Sequence, residues 1–65
     1  MNDYLIDGIE CRGDEAIRNF CLNYTKGKFK QDFRLVAKAM DRKTSAIELI
    51  EMLENTGHDV QPLGI

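Results

Sequence analysis

Residues 33–50 constrain the fold of this 65-residue chain more than any other stretch. Apolar residues recur there with helical spacing on both sides of a short polar segment, which predicts one short helix, a tight turn and a second helix. A small residue, Ala37, stands where two steeply crossing helices would touch, and Asp41 tolerates the left-handed backbone of a tight turn. Ile47 and Ile50 follow at positions from which they would fasten the second helix. The stretch therefore predicts two helices packed at a steep angle.

Another helix is predicted ahead of this pair, from Asp14 to Lys26. Asp14 can cap its first free amide groups, and Gly27 can supply the left-handed stop. Apolar residues recur along it at i, i+3, i+4 and i+7: Ile17, Phe20, Cys21 and Tyr24. This spacing predicts that one face of the helix packs into the core.

The second and third helices are each predicted to bury one face. The second spans residues 32–40, and one side of it is apolar: Phe33, Val36, Ala37 and Met40. The third begins near Thr44 or Ser45, where Ser45 and Glu48 have the spacing of a capping box, and Gly57 ends it. Its apolar face consists of Ala46, Leu49, Ile50 and Leu53.

The two ends of the chain carry shorter patterns. Asp7 and Gly8 separate two short apolar runs within residues 4–11, and this pair favours the positive φ angles of a two-residue hairpin turn. The alternative is a single extended arm broken at Gly8. Residues 58–65 have no apolar period, so they either pack as an extended segment or stay mobile.

Together these elements predict a single, mainly α domain covering residues 1–65. Its core, residues 13–57, is a three-helix bundle with a helix-turn-helix arrangement of the last two helices. A short N-terminal β-hairpin or extended arm, residues 1–12, precedes the bundle, and residues 58–65 form a tail. A chain this short buries only a modest core, so its stability margin is small.

Charge is segregated along the chain, although the formal net charge is only −2. Residues 1–25 carry a net charge of −3, residues 26–44 carry +5, and residues 45–65 carry −4. A basic block of this kind creates a local positive potential even on an acidic protein. The alternative is that these side chains simply solvate a helix face and a loop.

Several function classes find no support in the sequence. There is one histidine, His58, after a predicted helix end, and neither a nucleophile-elbow motif nor a phosphate-binding glycine loop, so we expect no enzyme. Cys11 and Cys21 are too few for a disulfide framework and lack the spacing of zinc ligands, which predicts reduced thiols and no metal or cofactor. No apolar run approaches the roughly 20 residues of a membrane span, and no signal peptide opens the chain. We expect a cytoplasmic protein with no membrane contact.

The run from Val36 to Ile47 resembles the corresponding segment of small three-helix members of the helix-turn-helix family of DNA-binding domains. The wider stretch from Asp14 to Leu53 is loosely similar to Myb/SANT-type domains, although this chain has no tryptophan. The resemblance implies a small DNA-associated regulatory protein of helix-turn-helix type, which binds double-stranded DNA as a homodimer.

The resemblance also implies which side chains would contact DNA. The family reads bases from the start of the second helix of the motif, which here carries Arg42, Lys43, Thr44, Ser45 and Glu48. Phosphate contacts would come from the other basic residues: Lys26, Lys28, Lys30, Arg34 and Lys38. The alternative is that Thr44 and Ser45 only cap a helix while Arg42 and Lys43 solvate a turn.

The acidic third helix favours a different function. Glu48, Glu51 and Glu54 lie along one side of it, and their carboxylates would be repelled by phosphates. An acidic helix face, or the edge of the hairpin, suits a protein partner instead. The alternative hypothesis is therefore a protein-protein interaction module, an adaptor or inhibitor of the kind found among phage or plasmid accessory proteins.

Overall fold

Two strands, three helices and a final strand follow one another in the computed structural model, which describes residues 2–23 and 33–64. The elements are β1 (Asp3–Ile6), β2 (Ile9–Arg12), α1 (Asp14–Asn23), α2 (Phe33–Met40), α3 (Ala46–Asn55) and β3 (Val60–Pro62). The strands form one antiparallel sheet in the order β2-β1-β3. The predicted mainly α bundle in helix-turn-helix order is therefore wrong, because the described residues combine three helices with a three-stranded sheet.

The N-terminal hairpin was predicted correctly, and the alternative of a single extended arm is not what the structure shows. Asp7 and Gly8 have φ angles of 51° and 83°, as a two-residue turn with left-handed backbone requires. Ile6 pairs with Ile9 next to the turn, and this register places Ile6 and Cys11 on the face that joins the core. The alternate residues Glu10 and Arg12 stay exposed, as expected for a sheet covered by helices on one face.

The tail supplies the third strand, which the sequence analysis did not predict. Asp7 holds it in place: its N–H donates to the carbonyl oxygen of Asp59 over 2.8 Å, and its Oδ1 accepts from the N–H of Asp59 over 2.9 Å. The other carboxylate oxygen lies 2.6 Å from Nδ1 of the buried His58, whose ring meets Phe20 edge-on. Because a lone two-stranded hairpin is only marginally stable in water, a third strand and a helical layer complete it.

The first and third helices, α1 and α3, bury the faces that their sequences predict. In α1 the residues Ile17, Phe20 and Cys21 are buried, while Tyr24 and the predicted helix end lie outside the described residues. Asp14 is the first residue of α1 rather than its cap. All four predicted residues of α3 are in the core: Ala46, Leu49, Ile50 and Leu53.

Both ends of α3 also follow their local signals. The capping box is present, with the N–H of Glu48 donating to Ser45 Oγ and the N–H of Ser45 donating to Glu48 Oε1. At the other end Gly57 has a φ of 97°, and the N–H of His58 donates to the carbonyl oxygen of Leu53. This is the hydrogen-bond pattern of a Schellman stop, which glycine permits without strain.

The buried face of α2 was predicted wrongly. Leu35 and Ala39 are fully buried, whereas Ala37 is exposed and Met40 is 70% exposed. Ala39, rather than Ala37, is therefore the small residue at the helix contact. Ile47 is 44% exposed and does not fasten α3. Periodicity failed here because α2 carries apolar residues on two sides, and only the neighbouring elements select one of them.

Candidate functional site

A buried arginine in α1 holds the turn between α2 and α3. The guanidinium of Arg18 donates from Nη1 to the carbonyl oxygens of Ala39 (2.6 Å) and Asp41 (3.1 Å), and from Nη2 to that of Thr44 (2.6 Å). The last carbonyls of a helix have no partner within it and attract a cation, so Arg18 closes the end of α2. In the sequence, Arg18 is only one of the charged residues that make up the net charge of residues 1–25. Its place next to Ile17, a residue of the apolar face of α1, was the one indication in the sequence that Arg18 is buried.

Arg42 was predicted to read bases but is engaged in an ion pair. Its Nη1 and Nη2 donate to the two carboxylate oxygens of Glu15, over 2.9 and 3.2 Å. The hydrogen bond and charge of Arg42 lower the pKa of Glu15, and Glu15 in turn raises the pKa of Arg42. Both side chains are exposed, so the pair contributes little to stability, but it neutralises the charge that a DNA contact would use.

The other predicted base-reading residues also have structural roles. Thr44 is 4% exposed, and its backbone carbonyl accepts from Arg18. In the capping box, the side chain of each of Ser45 and Glu48 accepts a hydrogen bond from the backbone N–H of the other. Lys43 has an exposed side chain, and its N–H donates to Asp41 Oδ1 over 3.0 Å within the turn. These contacts are the capping and turn roles that the alternative named, and base reading by the same residues stays a prediction.

The predicted phosphate contacts are only partly visible. Arg34 and Lys38 lie one helical turn apart on α2, and both are exposed. Lys26, Lys28 and Lys30 lie outside the described residues. The described part of the basic block therefore presents Arg34, Lys38 and Lys43 to solvent, while Arg42 is paired.

An apolar surface of α2 faces away from the core. Successive helical residues are about 100° apart, so Ala37 lies opposite the buried pair Leu35 and Ala39. Going around the helix from Ala37, Met40 comes next and then Val36; Val36 is half-buried, and Met40 is the most exposed large apolar residue among those described. We call Val36, Ala37 and Met40 the outer stripe of α2. It is the same set that the sequence predicted for the core, apart from Phe33, whose side chain lies outside the description.

The outer stripe has charged neighbours of known sign. Arg34 and Lys38 lie along one edge of it on α2. The residues of the predicted acidic face on α3, Glu48, Glu51 and Glu54, are all exposed, and the apolar Ile47 is exposed next to Glu48.

Other kinds of site are not found in the part of the chain that the structure describes. It contains no cavity, no cluster of metal-binding side chains, and no helix long and apolar enough to cross a membrane. Cys11 and Cys21 are both buried and take part in no disulfide; burial raises the pKa of Cys11, and it raises the pKa of Cys21 to about 12. These thiols are therefore poor nucleophiles near neutral pH.

Fold and surface together define a small α+β domain whose most distinctive feature is an apolar helix face with a basic edge. Comparisons with protein-family models, with curated proteins and with solved structures gave no match to this chain. Its function has to be inferred from this surface and its chemistry.

Proposed function

We propose that the protein is a small non-enzymatic interaction module that binds a helix of another protein along the outer stripe of α2. The observation that carries the proposal is that α2 is apolar on two sides, and the core formed by the described residues uses one of them. Covering apolar surface releases about 25 cal/mol for each Å² removed from water. The small Ala37 next to Met40 allows a second helix to approach closely, as helix packing requires.

The charges around the stripe specify the chemistry of the partner. Arg34 and Lys38 border the stripe, so the partner is an amphipathic helix with acidic residues beside its own apolar face. Methionine suits such a surface because its flexible side chain adapts to the partner.

Binding to double-stranded DNA is the second candidate, favoured by the exposed side chains of Arg34, Lys38 and Lys43. It is the weaker one because the other residues at the start of α3 already serve the fold. Arg42 is paired with Glu15, and Ser45 is engaged in the cap of α3. The helix-turn-helix arrangement on which the idea rested is also not the fold of the described residues.

A peptide titration tests the proposal. The probe is a synthetic helix of about 20 residues, long enough to be helical, with a leucine stripe flanked by glutamates. We expect it to bind the full chain and to shift NMR signals of α2. Met40→Glu should weaken binding at least about tenfold, because it places a charge in the apolar contact. Ile9→Glu, the same change at another exposed apolar residue, should leave binding unchanged.

Two controls separate the candidates. A peptide of the same composition in scrambled order should not bind, and equal binding of both peptides would overturn the proposal. A titration with duplex DNA at low salt tests the second candidate, since DNA binding weakens steeply as salt rises. DNA binding that is lost in Lys38→Glu, unchanged in Met40→Glu, and unaccompanied by peptide binding would replace the interaction module with a DNA-associated protein.

A further inference from the structure

The outer edge of β2 has main-chain groups that point away from the sheet. In an antiparallel pair, alternate residues direct their N–H and C=O groups to one neighbour. Asp3 and Asp7 bond to the β3 side, so the even-numbered residues of β1 bond to β2. Their partners in β2 are Ile9 and Cys11. The N–H and C=O groups of the remaining residues, Glu10 and Arg12, therefore point outward.

The charges on this edge complement a second copy of the same edge. Two β2 strands from two copies can pair antiparallel, so that the helices of both copies lie on the same face of the joined sheet. Three registers, each shifted by two residues from the next, allow this pairing. Two of these place Glu10 opposite Glu10, or Arg12 opposite Arg12. The third, centred on Cys11, places each Glu10 opposite Arg12 of the second copy. Opposite charges stabilise such cross-strand pairs and like charges destabilise them, so the edge favours one register.

We propose that two copies of this chain associate through β2 in that register and form one continuous antiparallel sheet. Each Glu10 then exchanges main-chain hydrogen bonds with Arg12 of the second copy. The side chains of Glu10 and Arg12, which already pair within one chain with Nε–Oε2 at 2.6 Å, reach across the joint as well. The association closes by two-fold symmetry, because the same strand serves on both sides.

An exposed apolar residue supports the same register. Ile9 is 38% exposed at the end of β2, on the face where Cys11 enters the core. In the proposed register it lies opposite Gly13 of the second copy. Gly13 follows the last residue of β2 and has no side chain, and a Cβ added there would meet nothing within 4 Å of its own chain, so Gly13 does not obstruct the Ile9 side chain. The pairing thus covers an apolar residue that the single chain leaves in water.

The proposal goes beyond the proposed function and does not depend on it. Only a four-residue strand meets its copy, so the interface is smaller than the roughly 1,200 Å² of stable specific complexes. We therefore expect a weak dimer that forms at high protein concentration. The outer stripe of α2 takes no part in the joint, so a dimer would carry two such stripes.

Sedimentation equilibrium of the full chain tests the dimer over a wide concentration range. We expect self-association in the wild type, together with slower amide exchange at Glu10 and Arg12 as concentration rises. Glu10→Arg alone and Arg12→Glu alone each place like charges across the joint, and each should weaken association about tenfold. The double charge reversal restores opposite charges in this register only, and it should restore association. Circular dichroism verifies that each variant is folded.

Several results would overturn the dimer. One is a wild type that stays monomeric at millimolar concentration. Another is association that both single reversals leave unchanged, or concentration-dependent protection that appears on β3 rather than β2. Met40→Glu serves as the matched control, because it removes peptide binding in the proposed function and should leave the dimer intact. The two proposals can therefore fail separately.

Discussion

Arg18 shows how one side chain can determine the geometry of a turn. Its guanidinium is 7% exposed and donates to three backbone carbonyls between Ala39 and Thr44. Buried charges are tolerated only where hydrogen bonds replace water, and here the carbonyls at the end of α2 do so. The packing of α2 against α1 and the direction in which α3 departs both depend on this contact.

Arg18→Met should therefore lower the free energy of unfolding by about 3 kcal/mol, because it keeps an unbranched apolar stem but removes the guanidinium and leaves buried carbonyls without donors. Arg34→Met, the same change on the exposed side of α2, should cost less than about 0.5 kcal/mol. Urea denaturation measures both. Equal losses would show that the Arg18 contacts do not support the turn.

Cys21 links stability to alkaline pH. Desolvation by burial raises the pKa of its thiol from 9.0 to about 12. Below pH 9.0 the thiol is neutral in both states, so its contribution is fully present. As the pH rises toward about 12, the unfolded chain releases the proton and the folded one retains it, so stability is lost.

We expect the free energy of unfolding to fall with rising pH in this range, and to fall more steeply in the wild type than in Cys21→Ala. The difference between the two slopes should be up to about 1.4 kcal/mol per pH unit. Urea denaturation at a series of pH values between about 8 and 11 gives both slopes. Lysine and tyrosine side chains titrate in both proteins, so their effect cancels in the difference. Parallel pH profiles would contradict the raised pKa.

At the scale of elements, α2 is the least predictable part of the fold. Leu35 and Ala39 face α1 and α3 in the core, while Ala37 and Met40 face solvent. A helix with apolar residues on both sides is suited to lie between two partners, one supplied by its own chain and one from outside. This is the physical basis of the proposed interaction surface.

Substitutions to alanine distinguish the two faces of α2. Leu35→Ala should lower the free energy of unfolding by about 2–4 kcal/mol, since it leaves a cavity in the core. Met40→Ala should change it by less than about 0.5 kcal/mol. The sequence periodicity alone predicts the reverse order. Thermal or urea unfolding of the two variants settles which face is buried.

On the scale of the whole molecule, the sheet and the helices present different surfaces. The helices cover one face of the sheet, and no strand of the described residues pairs with the outer edge of β2. The outer stripe of α2 is apolar and bordered by basic residues, whereas the β2 edge carries Glu10 and Arg12, whose charges complement a second copy of the same edge. A protein of this size can thus combine weak self-association with binding of a second protein, and multivalency would strengthen the latter.

Local signals predicted much of the fold. The turn at Asp7 and Gly8, the capping box of Ser45 and Glu48, and the stop at Gly57 depend on bonds between residues a few positions apart, so the sequence alone determined them. The buried faces of α1 and α3 were predictable because most apolar residues of each helix fall on one face.

Other features were decided by the tertiary structure alone. β3 forms because Asp7 bonds to Asp59 and His58 across most of the chain, and Arg18 reaches carbonyls more than 20 positions away. Such contacts leave no period in the sequence, since they join single residues rather than repeating faces. The choice between the two apolar sides of α2 is of the same kind. Either side can be buried by the hydrophobic effect, and only the positions of the neighbouring helices determine which one is.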